Sequence, residues 1–148
     1  MKHHSQLLFF GMIFINVYHV VGRDYFRYNS RLRKLYKRTK HYTHFVEDHH
    51  CIPKEHRHHE LLQNVGFDIN CSKNLVIMPN KLGKLAMNLH PKTIVHQGGH
   101  HKYNDYVLEK LNEILLYPTI DDQKYQFWLL LHFLKSNMQF NEDNIPWK

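Results

Sequence analysis

Four histidines have neighbours that could put them to chemical use. His49 and His50 are adjacent in the run Asp48-His49-His50-Cys51-Ile52-Pro53, and His96 and His100 flank Gly98-Gly99. A divalent metal with nitrogen ligands needs two or three neutral imidazoles converging from separate elements. A general base needs an imidazole that is off the metal and oriented by a second group. Adjacent histidines can divide these jobs, because neighbours on a strand point to opposite faces. Asn74, just before an apolar run, could hold the base imidazole or brace the loop that carries it. The chain has 15 histidines in 148 residues and four His-His pairs, so a bare pair carries little weight and its surroundings decide.

The spacing His96-x-x-x-His100 would suit two ligands on one helix face. Gly98 and Gly99 lie between them, and each costs a helix about 1 kcal/mol against alanine. The pattern therefore predicts a loop ending at a helix N-terminus, with His100 at or just inside the cap. Such an end carries unpaired N–H groups that could help hold a phosphate oxygen.

The elements that must position these residues can be read from periodicity. Thr43 to Pro53 reads as a short strand ended by proline, and Lys54 to Asn64 as a helical turn or two ending at Gly66. Leu75-Val76-Ile77-Met78 reads as a second strand ended by Pro79. Leu82, Leu85, Ala86 and Leu89 mark a short helix, and Tyr103, Val107, Leu111 and Ile114 repeat at helical spacing. The Tyr125 to Leu134 stretch is apolar almost all round, which predicts a buried helix or one covering an interface. The fold class expected is α+β with a very small sheet.

Charge is unevenly spread. The net charge is +7, and much of the excess sits in Arg23, Arg27, Arg31, Arg33, Lys34, Lys37, Arg38 and Lys40, interleaved with aromatics. This predicts an amphipathic helix with a basic face suited to a phosphate backbone, binding that weakens with salt. Before it, Lys2 and the apolar run Leu7 to Ile15 have the proportions of a secretory signal peptide, which predicts secretion. Retention of residues 7–21 as an anchor, with the basic cluster on an anionic membrane surface, is the alternative. The organisation expected is a signal segment (1–22), a basic aromatic helical segment (23–46), a core (47–118) and a C-terminal helical segment packing on it (119–148).

Four blocks follow one another in order: Asp48 to Glu55, Gly66-Phe67-Asp68-Ile69-Asn70, Asn74 to Pro79, and His96-Gln97-Gly98-Gly99-His100-His101-Lys102-Tyr103. Together they resemble the AHH nuclease family of the HNH/endonuclease VII (His-Me finger) superfamily, familiar from the toxin ends of secreted bacterial proteins. The resemblance covers about Asp48 to Leu115. Asp48 stands where the family has its first alanine, and Cys51 where an aliphatic residue is usual. It implies a small ββα-metal nuclease core with flanking helices. His49 would be a metal ligand, completed by His100 and His96, and His50 the general base, oriented by Asn74. Asp48 would join the metal's outer shell or bond a ligand histidine. The cofactor implied is a divalent ion, magnesium, manganese or zinc, and the partner nucleic acid, DNA ahead of RNA. An inhibitor protein is a further candidate partner.

The activity expected is metal-dependent endonucleolytic hydrolysis that falls below about pH 6, where an ordinary imidazole protonates. A histidine-rich secreted or membrane-anchored protein that binds metal or nucleic acid without catalysis is the competing reading. Cys51 and Cys71 allow one intramolecular pairing, a disulfide that would tie the His50 strand to the Asn74 loop; two free thiols are the alternative.

Overall fold

The computed structural model describes residues 24–140 and 144–147, so the signal-segment reading and Arg23 lie outside the described residues. In chain order the elements are α1 (Arg31–Thr39), β1 (Val46–His50), α2 (Glu60–Asn64), β2 (Leu75–Pro79), α3 (Lys81–Ala86), α4 (His101–Leu115) and α5 (Ile120–Phe140), with single 3₁₀ turns at Lys54–His56 and Ser72–Asn74. The fold is α+β, built on one two-stranded antiparallel sheet. Its register pairs Val46 with Pro79, Asp48 with Ile77 and His50 with Leu75.

Local chemistry explains most of the boundaries. Ser30 caps α1 by accepting the Arg33 N–H at 3.2 Å, so the helix starts at Arg31, well inside the basic aromatic segment 23–46. Gly66, at φ 65°, follows α2 in the left-handed conformation that closes a helix. Asn80 caps α3 by accepting the Gly83 N–H at 2.8 Å. Gly83 is needed there, because a Cβ at that position would stand 1.9 Å from the Phe45 carbonyl oxygen.

One side of the sheet rests on a core shared with α4 and α5. Tyr103, Val107, Leu111 and Ile114 are buried along α4, the stripe that the spacing predicts. Phe127, Leu131, Leu134 and Met138 of α5 join them, with Ile52, Leu61, Leu62 and Met78. Of the two expectations for α5, buried all round or covering an interface, the first does not hold within this chain. Tyr125, Trp128, Leu129 and Phe133 are exposed, since the helix lies on the surface of a small domain and has only one side to bury. Among the described residues no helix is long and apolar enough to cross a membrane.

A two-faced strand as candidate active site

β1 sends Glu47 and His49 to one face and Val46, Asp48 and His50 to the other, as the period of a strand requires. The two histidines therefore have different neighbours.

On the first face His49 meets His96 and His100. The three ring centroids form a triangle 5.5 Å on each side. One nitrogen from each ring lies within 4.8 Å of the others. His96 is tied to the end of β2 by its N–H, which donates to the Pro79 carbonyl at 2.8 Å. Gly98 and Gly99, at φ 51° and 73°, turn the chain between His96 and His100, and His100 is the N-cap residue of α4. The pair is thus a loop pair, not two positions on a helix face.

Glu47 bonds His96 Nδ1 at 2.7 Å, which leaves Nε2 as the ligand atom of that ring. His49 is buried, and its Nε2 has no hydrogen-bond partner among the described residues. Burial, with His96, His100 and His50 adding repulsion, pushes the His49 pKa down to about 3, so the ring is neutral and its lone pair available. Three imidazoles, one of them neutral with an orphaned buried nitrogen and another backed by a carboxylate, fit a divalent metal of intermediate softness.

On the second face His50 Nε2 lies 3.2 Å from Asn70 Oδ1. An amide oxygen only accepts, so Nε2 carries the proton and Nδ1 is the free base. Tyr28 packs on the ring at 4.7 Å between centroids, and the Lys54 ammonium stands 3.5 Å from the Tyr28 ring centre. Burial lowers the His50 pKa to about 4; the Asn70 bond opposes this in part, and Lys54 adds to it.

Asn74 makes its side-chain hydrogen bonds to backbone and not to His50. Its fully buried side chain accepts the Ile52 N–H at 2.7 Å and donates to the Ile52 and Ile69 carbonyls at 3.0 and 2.8 Å. It braces the chain on either side, which was one of its two expected roles. The side chain bonded to His50 is Asn70, which stands in the Gly66–Asn70 block of the sequence and carries no local signal of that contact.

Asp48 also departs from expectation. It bonds no histidine; its carboxylate accepts from Arg33 Nε at 2.7 Å and Lys37 Nζ at 2.9 Å. Arg33 is 2% exposed and also donates to the Phe26 carbonyl, so it belongs to the interior and not to a nucleic-acid surface. Lys37 is held in the same pair, and Arg27 bridges to Asp68 at 2.9 Å. Arg31, Lys34 and Arg38 are exposed along α1, as is Lys40 at its C-cap.

Cys51 and Cys71 are free thiols, so the predicted disulfide is absent. Cys51 is enclosed in the core, and burial pushes its thiol up to about 12.

A known family's profile matches residues 29–127: AHH, a nuclease family of the HNH/ENDO VII superfamily with conserved AHH. The chain belongs to the AHH family. No curated protein and no solved structure matches it. AHH membership makes the chain a nuclease, with nucleic acid as its substrate. HNH/ENDO VII nucleases use divalent metals, and the three histidines of this AHH chain could hold one. The AHH match begins before α1 and runs into α5, wider than the motif blocks.

Proposed function

We propose that the chain is a metal-dependent endonuclease in which His50 is the general base and His49, His96 and His100 hold the metal. The observation that carries this reading is the division of labour on β1. One histidine joins a triangle of imidazoles, and the next, on the other face, is kept off that triangle and bonded to Asn70.

In this scheme His50 Nδ1 takes a proton from water, which attacks the scissile phosphorus in line with the departing 3′ oxygen. Asn70 and Tyr28 hold the ring in place while it does so. Lys54, exposed beside them, offers its charge to a substrate phosphate. When bound, the divalent metal would supply positive charge that stabilises the phosphoryl group and the leaving oxygen. Arg31, Lys34, Arg38 and Lys40 supply affinity that does not depend on sequence.

The purified protein, incubated with plasmid DNA and with total RNA, is expected to cut in the presence of a divalent ion and stop when chelator is added. Cleavage that survives chelator would overturn the metal role, and binding without cleavage would favour the non-catalytic reading. Secretion belongs to the same proposal, since the apolar run behind Lys2 has signal-peptide proportions. N-terminal sequencing of the mature protein distinguishes cleavage near Gly22 from a retained anchor.

A further inference from the structure

The last described residues fold back onto the histidine triangle. Asn144 donates to Asn137 Oδ1 of α5 at 3.0 Å, and Ile145 is buried in the core. Two residues on, the Trp147 ring lies 4.2 Å from His100, 5.0 Å from His49 and 5.3 Å from Tyr103, centre to centre. An indole has a donor and no acceptor nitrogen, so Trp147 cannot be a fourth ligand. What it does is occupy space beside two of the three imidazoles that water would otherwise fill. Its Nε1–H is buried with no acceptor among the described residues, the state of a donor whose partner arrives with a ligand. Trp147 also lies outside residues 29–127, the part that matches the family.

We propose that the C-terminal tail is a wall of the metal centre, Trp147 closing the His49–His100 edge and slowing exchange of the ion held there. The proposal rests on the metal reading of the triangle. Its physical basis is that the apolar shell around a metal controls solvent access, and that loss of an outer-shell residue typically weakens metal binding about 10- to 100-fold.

The chain has two tryptophans, which makes a direct test available. Trp128→Phe leaves Trp147 as the only indole, in the full-length chain. Titration with nickel(II) is expected to quench its emission saturably, with the midpoint found by calorimetry on the same protein. The converse variant, Trp147→Phe with Trp128 retained, should bind the metal with little change in emission. In the otherwise native chain, Trp147→Ala should release the ion into excess chelator about 10-fold faster. Trp147→Phe, which keeps a ring, should stay within about twofold of the native rate. If calorimetry shows binding but the Trp147 emission does not move, or if Trp147→Ala releases the ion at the native rate, the wall is refuted and the metal reading stands. If calorimetry shows no binding to the native chain, both fall together. The fluorescence arm leaves Trp147 in place, so it remains decisive should the alanine variant fail to fold.

Discussion

The two faces of β1 differ in what surrounds an imidazole, although the residues that present them are neighbours. The His49 face is a closed triangle of rings walled by Tyr103 and Trp147, with Glu47 behind His96. The His50 face is a ring between Tyr28 and Asn70, with the exposed Lys54 nearby, and beside it Asp48 carries the internal ion pair to α1. In the proposed scheme the first face would hold a cation, and the second would leave one nitrogen free and bring an anion near it. One sheet position therefore decides which set of neighbours a histidine meets.

The comparison breaks most sharply if the two histidines are removed in turn. His50→Ala should lower cleavage by about 10²- to 10⁴-fold, the usual worth of a general base, with metal binding by calorimetry unchanged. His49→Ala should lose metal binding and cleavage together. Equal loss of metal binding in both variants would abolish the distinction between the faces.

Next in size is the ion pair on the His50 side. Asp48→Ala restores the family's alanine but strands Arg33, which is 2% exposed, without its carboxylate. It should cost about 3–5 kcal/mol in denaturant unfolding, and Asp48→Ala with Arg33→Met should recover most of it. No recovery in the double variant would mean that the pair is not what holds α1 to the strand.

Acid should act on both faces, and in order. His50 and His49 have pKa values lowered to about 4 and about 3 by burial, against an ordinary 6.5. The unfolded chain takes up these protons first, so this contribution to stability is whole above about pH 6.5 and is lost as the pH falls toward 4 and then 3. The slope is roughly 1.4 kcal/mol per pH unit for each proton. Cleavage should likewise persist below pH 6, where an unperturbed imidazole would have it fall. A rate profile that drops with a midpoint near 6.5 would show that burial does not protect His50.

Smaller effects separate the supports. Glu47→Gln should weaken metal binding about 10-fold and leave nucleic-acid binding in chelator unaltered. Smallest per residue are the exposed cations of α1. Lys34→Met with Arg38→Met should reduce the salt slope of duplex binding by about 2, whereas Arg33→Met, being interior, should not reduce it.

The sequence made the histidine triangle legible because its members sit where elements end: at a strand, at a glycine turn and at a helix cap. Those local signals survive in one dimension. The short sheet and the α4 stripe were legible for the same reason, through proline punctuation and a 3.6-residue period. What escaped depended on which distant segment lies opposite. Among the basic residues before β1, nothing in the pattern marks Arg33 as the one that turns inward to Asp48. Asn70 and Asn74 look alike in the chain, and only the packing of Tyr28 and Ile52 assigns one to the base and the other to the backbone. Trp147 is a lone aromatic in a polar tail, and its relation to His100 spans more than forty positions.

Asn74 and Asn80 grip β1 at its two ends. Asn74 takes the Cys51 N–H on its carbonyl and both polar groups of the Ile52 backbone on its side chain. Asn80 donates its N–H to the Phe45 carbonyl and its amide to that of His44. Between them the ladder has room for one residue count. Substitutions such as Asp48 for alanine can be absorbed there by a change in the partner helix. An inserted or deleted residue cannot, because it would exchange the faces of His49 and His50 and turn the base toward the metal ligands. Length, more than identity, is therefore what the two asparagines fix in this strand.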